Sequence, residues 1–448
     1  MKIAFHTPLN RYGDGAPSGD RLMARQLVTL LEELGHAVEI IPAERSFMRE
    51  PDPALLAALK DAARGVIAAL TERWQTPQAR PDLFFTYHCH YRAPDLIGPA
   101  LVEHFDLPYL LAEASDAQKR FAGPWSEAAA LARAAILRAD LHLCMTARDR
   151  EGLARLIPEP ERLIDLPPFL LGVEAVPERP DRTSATASQT KLGAATCPLP
   201  PCGGELERGV NSREADRERQ FDAAHPVTPL PTLPHKGGGL EPVTGGGDSP
   251  RTSSQETPVR LIAVAMMRPG NKAACYLFLA RTLARISDLP WTLTLIGDGP
   301  ERPAVEAAFA EFPPGRVRFL GKQARSDILT ELTNHDLFAW PGLNEAYGVV
   351  YLEAQAAGLA VAALDSGGVP AVVDRNRTAL LAPHGDEAAL AAAIAGLIGD
   401  AELRVRMGSA AQVFARQERN GDGARKILAG ALDATIAWHG RKALEIAP

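Results

Sequence analysis

Short apolar runs alternate with amphipathic stretches along the first part of the chain. KIAFHTP and AVEIIPA read as strands, and apolar residues recur every three or four positions in RLMARQLVTLLEELGH between them, until Gly35. DLFFTYH, YLLAEAS and LHLCMTA are further strand candidates, each followed by helix-like sequence. This alternation predicts a parallel sheet covered by helices, and we expect residues 1–171 to form this first domain.

The same alternation returns at Val259. Strands are predicted in VRLIAVAMM, WTLTLIGDGP, VRFLG, DLFAWPG and LAVAALDSGG, with helical spacing between them. Residues 259–420 therefore read as a second α/β domain. The tail, residues 421–448, is mostly helical in pattern, and we expect it to cross back onto the first domain.

The segment between the two domains, residues 172–258, has no apolar periodicity. It holds 12 of the chain's 37 prolines and two GGG triplets. Such a composition buries too little apolar surface to offset the entropy of ordering, so we expect a disordered insertion. HPVTPLPTLPHKGGG resembles a translated bacterial intergenic repeat, and our hypothesis is that the segment arose by an accident of DNA insertion.

Composition narrows the function classes. Hydrophobic residues make up 46% and charged residues 23% of the 448 residues, ample for two cores, and the formal net charge of −7 argues against a general nucleic-acid binder. Five scattered cysteines indicate a reducing compartment rather than a disulfide framework. The first residues lack the pattern of a signal peptide, and no run of ~18 apolar residues occurs. We therefore expect a cytoplasmic protein, whose contact with a membrane, if any, is peripheral.

The most informative stretch is PGLNEAYGVVYLEAQAAGLAVAA. A strand ends in a loop that holds Asn344 and Glu345, Gly348 permits close approach of the backbone, and a short helix closed by Gly358 follows. A helix that opens at the carboxyl edge of a sheet presents free N–H groups and the positive end of its dipole, which suits a phosphate. Glu345 precedes this helix and Glu353 lies within it, so we expect the two acids to bracket the anion pocket.

This stretch resembles the signature of the family-four retaining glycosyltransferases of GT-B fold, in which two glutamates lie eight positions apart in a strand–loop–helix setting. LTLIGDGPERPAVE, VRFLGKQARSDILTELTNHDLFAWPGLNEAYG and ALDSGGVPAVVDRNRTALLAPHGDEAALAAAI are similar to neighbouring segments of that family. The resemblance implies two Rossmann-like domains facing across a cleft. The nucleotide-sugar donor would bind mainly to the second domain and the acceptor mainly to the first.

The resemblance also implies roles at the donor site. Glu353 would bind the ribose hydroxyls, Glu345 would contact the transferred sugar, and Gln323 would lie beside the base. Backbone N–H groups at the start of the helix would hold the diphosphate. The implied donor-binding set is Glu353, Asn344, Gly348, Val349, Val350, Gln323 and Gly19.

Two basic residues are implied for catalysis. The family places an arginine and a lysine on the loop after the first strand of the second domain, where both neutralise the leaving diphosphate. In MMRPGNKAACY, Lys272 matches the lysine, whereas the usual arginine position falls near Met266, and Arg268 is the candidate substitute. A solvated basic turn is the alternative interpretation of this loop. The implied catalytic set is Glu345, Lys272 and Arg268.

The first domain would supply the acceptor side. APSGDR is similar to the family's loop before the first helix, where Gly19 would let the backbone approach the substrates. In YHCHYR, His88 and His90 would face the cleft. Many relatives carry a histidine after the strand that here reads YLLAEASD, so either Glu113 or Asp116 takes over polar contacts to the sugar, or activity is altered or lost. A His-x-His pair also suits a metal, but no third ligand is evident nearby in the sequence.

Other chemistries find less support. The sequence contains neither a P-loop nor the glycine motif of dinucleotide-binding domains, and no Asp-x-Asp motif stands at a suitable strand end. We therefore expect transfer without a metal or other cofactor, with retention of anomeric configuration implied by the resemblance. The alternatives are a catalytically weak sugar-nucleotide binder and a non-hydrolysing nucleotide-sugar epimerase. The expected partners are a nucleotide-sugar donor and an acceptor that is a glycan, a lipid-linked molecule or a small molecule. A zinc site is disfavoured because no finger spacing fits the candidate ligands Cys197, Cys202, His225 and His235.

Overall fold

The computed structural model describes three ranges of the chain: 1–13, 18–177 and 257–446. Most of the predicted insertion and all four candidate zinc ligands therefore lie outside the described residues. The first residues of the predicted insertion, 172–177, do belong to the described residues. There Val176 is buried, and its carbonyl oxygen accepts a hydrogen bond of 3.0 Å from the Arg416 guanidinium.

The first half of the chain builds one sheet whose paired strands are all parallel. The strands alternate with helices, as the apolar pattern predicts, and β3 and β4 are buried along their whole length. The six strands in chain order are β1 (Lys2–His6), β2 (Ala37–Ile40), β3 (Leu83–Cys89), β4 (Tyr109–Ala114), β5 (Leu141–Cys144) and β6 (Leu163–Asp165). Their spatial order is β2-β1-β3-β4-β5-β6, so the order changes direction between β1 and β3.

In the described part of the first half, five α-helices cover this sheet. The first begins behind Ser18, whose hydroxyl accepts a hydrogen bond from the Arg21 N–H (3.3 Å), and Gly35 follows its end with a left-handed φ of +82°. The helices are α1 (Gly19–Glu33), α2 (Pro53–Arg73), α3 (Gly98–Phe105), α4 (Ser126–Arg138) and α5 (Ala147–Leu153).

The second half builds another parallel sheet. Its strands are β7 (Val259–Val264), β8 (Trp291–Ile296), β9 (Val317–Gly321), β10 (Leu337–Ala339), β11 (Ala360–Leu364) and β12 (Ala379–Ala382). The spatial order is β12-β11-β10-β7-β8-β9, with the change of direction between β7 and β10. In open parallel sheets, ligands bind beyond the carboxyl ends of the strands at such a change of direction.

Among residues 257–446, six α-helices pack around the second sheet, and a seventh extends away from it. They are α6 (Asn271–Ala284), α7 (Arg302–Ala308), α8 (Arg325–Thr333), α9 (Val349–Ala356), α10 (Glu387–Gly399), α11 (Ala401–Val413) and α12 (Gly421–Ile446). Helix α12 packs on the first half: the Arg425 guanidinium pairs with Glu33 of α1, and Nδ1 of His439 lies 3.1 Å from the buried Asp140 carboxylate. Within the described ranges, every helix is too short or too polar to cross a lipid bilayer.

Candidate active site

The loop between β10 and α9 reaches the carboxyl edge of the second sheet at its change of direction. Gly348 occupies the N-cap of α9 with φ +75°, a conformation that L side chains rarely adopt. A Cβ at this position would lie 2.9 Å from the Tyr351 ring and 3.1 Å from Cγ of Glu345. The helix then opens at Val349 and Val350, and the first N–H groups of a helix have no partner within it. This arrangement can accept an anion at the start of α9.

The backbone around Glu345 is held from the side of β11. Asn344 adopts φ +49°, and its N–H donates to the Ser366 hydroxyl at 2.9 Å. The Gly368 N–H donates to the Glu345 carbonyl oxygen at 2.9 Å. A Cβ on Gly368 would lie only 1.6 Å from the Ala346 carbonyl oxygen, so glycine is required there for the loop to take this path.

Glu345 forms an ion pair with Lys272 of α6. Nζ of Lys272 lies 2.8 and 2.6 Å from the two carboxylate oxygens of Glu345, and 5.7 Å from the centre of the Trp340 ring. Both side chains are mostly buried, with 18% and 15% of their surface exposed. Two of the three residues that the resemblance implies for catalysis are therefore in direct contact.

The third residue of that set, Arg268, is exposed on the loop between β7 and α6, and the Met266 side chain is partly buried. This loop is fixed by the turn after β8, because the Met267 N–H donates to the Asp298 carbonyl oxygen (2.9 Å) and Gly299 packs against the Met267 backbone. Burial raises the pKa of the Asp20 carboxyl group, and Arg268 is among the charges that lower it. The charge of Arg268 thus favours the ionised form of Asp20, and no ion pair joins Arg268 to Glu345 among the described residues.

Glu353 and Gln323 have partners that the sequence did not reveal. Nε of Arg325 lies 2.9 Å from the Glu353 carboxylate, where burial raises and Arg325 lowers the pKa of Glu353, with a net rise. The Gln323 side-chain amide donates to the Leu320 carbonyl oxygen at 2.6 Å, which ties it to the end of β9. The two glutamates of the motif thus belong to separate ion pairs, Lys272–Glu345 and Arg325–Glu353.

The facing edge of the first sheet gathers one histidine and two carboxylates. Nδ1 of His88 lies 3.3 Å from Oε1 of Glu113 and 4.0 Å from Oδ1 of Asp20. His88 and Glu113 are the last residues but one of β3 and β4, and their φ angles of +69° and +52° lie in the left-handed region that non-glycine residues seldom occupy. Such strain is concentrated at functional sites because the surrounding structure must hold it.

The charges of this group are strongly coupled. Burial disfavours the charged imidazole, but the Glu113 and Asp20 carboxylates favour it and raise the pKa of His88 to about 9. Burial and the Glu113 charge raise the pKa of Asp149, behind the group, to about 6. The ligand atoms of Asp20, His88 and Glu113 lie within 4.8 Å of one another, so the three could hold a cation, a role that protonated His88 can itself fill.

His90 and Gly19 lie beside this group rather than in it. The Arg92 N–H donates to Nδ1 of His90 at 3.0 Å, and the His88 and His90 ring centres are 5.0 Å apart. Burial and the charges of His88 and Arg92 lower the pKa of His90 to about 3, so it stays neutral. Gly19 is the exposed first residue of α1.

Glu113 and Asp116, at and after the end of β4, have different partners. Asp116 accepts two hydrogen bonds from Arg133, at 2.9 and 2.7 Å, and only 2% of its side chain is exposed. The same guanidinium lies 3.6 Å from the centre of the Phe121 ring. Asp116 is therefore committed to α4, and Glu113 is the acid that joins His88.

A hydrogen-bonded bridge connects the two halves of the site. The Tyr87 and Tyr347 hydroxyl oxygens lie 2.7 Å apart, and the Tyr347 hydroxyl donates to Oε2 of Glu113 at 3.3 Å. Tyr87 belongs to β3, whereas Tyr347 lies in the loop before α9. This bridge links the Glu345 loop to the His88–Glu113 group.

Sequence reasoning missed the residues that complete these contacts. Asp20 carries a weak signal, since it is an acid in the first turn of a helix that follows a glycine-rich loop. Tyr347 lies inside the motif itself, but an aromatic residue at this position suggests a buried core residue rather than a functional one. Arg325 carries no local signal. The missed residues are Asp20, Tyr87, Asp149, Arg325 and Tyr347.

Comparisons of the sequence with known proteins match parts of the chain. Residues 258–400, which include both motif glutamates, match the family model described as "Glycosyl transferases group 1". D-inositol 3-phosphate glycosyltransferase of Corynebacterium glutamicum is 40% identical over 101 residues, 22% of this chain and 24% of that protein. The chain thus matches about a quarter of the length of such curated relatives.

Solved structures match over nearly the whole chain. Sucrose-phosphate synthase from Thermosynechococcus elongatus has a TM-score of 0.63 at 16% identity, covering 98% of this chain and 99% of that one. HepE from Anabaena, in complex with UDP and glucose, has a TM-score of 0.58 at 17% identity, covering 97% and 99%. At such identity the likeness establishes the fold. The predicted architecture of two Rossmann-like domains of GT-B type is confirmed.

Proposed function

We propose that this protein transfers a sugar from a nucleotide-diphosphate sugar to the hydroxyl group of an acceptor. The observation that carries the proposal is the Lys272–Glu345 ion pair, which lies next to the anion-accepting start of α9. A site that only bound a phosphate would need no more than the start of α9 and a cation. A carboxylate held beside that cation adds a group that can contact the sugar as its bond to the diphosphate breaks.

The donor would bind along the edge of the second sheet. Its diphosphate would meet the N–H groups of Val349 and Val350 and the charges of Lys272 and Arg268, which offset the negative charge that develops on the leaving group. Glu353 would accept hydrogen bonds from the ribose, with Arg325 orienting its carboxylate. HepE was solved with UDP-glucose, and a uridine-type donor is therefore the first to test.

The acceptor would bind against the first sheet, near His88, His90 and Glu113. We propose retention of anomeric configuration, as in the family-four enzymes: the bond from C1 to the diphosphate breaks, C1 bonds to the acceptor oxygen on the same face, and the acceptor proton passes to the diphosphate. No metal is required in this proposal, because His88 with its pKa of about 9 supplies the positive charge between Asp20 and Glu113. Loss of transfer in a chelator, restored by manganese, would contradict this point.

A second candidate is a sugar-nucleotide-binding protein with little transferase activity. Met266 in the usual arginine position and the exposure of Arg268 favour it. Thermal unfolding with nucleoside diphosphates, followed by NMR of the products formed from the matching nucleotide sugars, separates the two. If the protein is a transferase, we expect a nucleotide to raise its melting temperature and the product to keep the donor's anomeric configuration. Stabilisation without any product from a broad acceptor panel supports the binder.

A further inference from the structure

We propose that Tyr347 is a positioning residue whose hydroxyl group holds the Glu113 carboxylate in place, and through it His88, when the donor loop lies against the first domain. This inference rests on the proposed transfer function, because it assigns a role within that same site. It concerns an interaction that crosses between the two sheets, from the loop before α9 to the end of β4.

The direction of the hydrogen bonds follows from the number of protons available. Glu113 can only accept when ionised, so the Tyr347 hydroxyl must use its one proton on the carboxylate. Tyr87 then donates its own proton to the Tyr347 oxygen, 2.7 Å away. Burial raises the pKa of both tyrosines well above the usual value, which keeps both hydroxyls protonated as donors. The result is a series of two hydrogen bonds that runs from Tyr87 through Tyr347 to Glu113.

Both residues of the Tyr347–Glu113 contact are buried and held by their surroundings. Tyr347 lies two residues after Glu345, in the backbone segment that packs against Gly368, and only 1% of its surface is exposed. Glu113 is 9% exposed, and its backbone is held in the left-handed region. Because hydrogen bonds in a buried network strengthen one another, a hydroxyl at position 347 constrains the carboxylate more than an exposed contact would. Glu113 in turn lies 3.3 Å from His88.

Packing alone does not account for the tyrosine. Phenylalanine would fill the same space between the sheets without burying a hydroxyl group that needs partners. The value of tyrosine at position 347 therefore lies in the contact with Glu113. Removing that hydroxyl frees the carboxylate to leave His88, while the donor contacts of Lys272 and Glu353 stay in place.

The test compares Tyr347→Phe with Tyr109→Phe in the full-length protein. Tyr109 is a matched control, because it is also buried and its hydroxyl donates to a carboxylate, that of Asp95 (2.7 Å), while it begins β4 and Glu113 lies near the other end of that strand. We expect Tyr347→Phe to lower kcat about tenfold while KM for the donor and nucleotide affinity stay within about twofold. Tyr109→Phe is expected to lower the melting temperature with kcat nearly unchanged. Equal kcat losses in the two variants, or none in Tyr347→Phe, would overturn the inference.

An NMR titration of the His88 imidazole provides a readout that needs no turnover. Glu113, Asp20 and Asp149 all face His88, and Glu113 is the nearest carboxylate, so its release in Tyr347→Phe should lower the pKa of His88 from about 9. An unchanged titration would overturn the positioning role even if the wild type is active. If the wild type turns over no donor, the proposed function fails, and the titration alone decides the role of Tyr347.

Discussion

The ammonium nitrogen of Lys272 lies 2.6 Å from one carboxylate oxygen of Glu345 and 2.8 Å from the other, which joins the start of α6 to the loop before α9. Parallel sheets place these two segments side by side, since β7 and β10 are neighbours at the change of direction. A cation and a carboxylate are therefore held together where a helix start can bind a phosphate. This relationship is the basis of the proposed donor chemistry.

Substitution of Lys272 should affect turnover far more than fold. In Lys272→Met, the leaving diphosphate loses a positive charge in a partly buried site, and we expect kcat to fall by a factor on the order of 100 to 1,000. Lys60→Met is the matched control, because Lys60 forms an exposed ion pair with Glu127 at 2.7 Å. Release of nucleoside diphosphate from the donor is the measurement. A similar rate in Lys272→Met and Lys60→Met would contradict the assigned role.

Gly368, in the turn after β11, should be intolerant of a side chain. A Cβ at Gly368 would meet the Ala346 carbonyl oxygen at 1.6 Å, so Gly368→Ala must displace the Glu345 loop. We expect a loss of roughly 1–3 kcal/mol in the free energy of unfolding, together with weaker nucleotide binding. Gly396→Ala, where no atom lies within 4 Å of the added Cβ, should be neutral or slightly stabilising. Calorimetric unfolding and nucleotide titration check both, and unchanged binding in Gly368→Ala would show that the loop can relax.

The Arg325–Glu353 pair predicts a contribution to nucleotide affinity. In Glu353→Gln, a charge-assisted hydrogen bond to the ribose is weakened, and we expect the Kd of the nucleoside diphosphate to rise about tenfold. Glu387→Gln is the control, since Glu387 pairs with Arg281 on the surface of the same domain at 2.6 Å. Isothermal titration of the two variants gives the comparison. Wild-type affinity in Glu353→Gln would place the ribose elsewhere.

His88 predicts a pH dependence of stability. Its pKa is raised from the ordinary 6.5 to about 9, so the folded state binds its proton more tightly than the unfolded state. The stabilisation is fully present below about pH 6.5 and is lost as the pH rises through about 9. Its size is on the order of 3 kcal/mol. In urea unfolding at a series of pH values, His88→Gln should lack this decline, whereas the exposed His104→Gln should keep it. The same decline in His88→Gln would refute the assignment.

The sequence predicted the parts of the site that depend on neighbouring residues along the chain. The run DLFAWP, the glycine at 348 and the apolar helix after it predict β10, its loop and α9, and the structure has all three. These signals are local, because an apolar strand, a left-handed turn and a helix are each determined by a few consecutive residues.

The remaining contacts depend on which elements are neighbours in space. The Arg325–Glu353 pair joins α8 to α9, and Asp116 pairs with Arg133 rather than with His88, choices that no spacing within one element reveals. The Asp20–His88–Glu113 group draws on α1, β3 and β4, and so requires the strand order to be known. Contacts of this kind can be identified only once the order of the strands in the sheet is known.

In the proposed function, the Glu345 loop and Lys272 serve sugar transfer and not nucleotide binding alone. The most direct measurement is release of nucleoside diphosphate from a panel of nucleotide sugars, with UDP-glucose first, by the wild type and by Glu345→Gln. We expect the wild type to release the nucleotide from at least one donor, and Glu345→Gln to bind this nucleotide but release it at least about 100-fold more slowly. Nucleotide binding by the wild type without release from any donor, or equal release by both proteins, would contradict it.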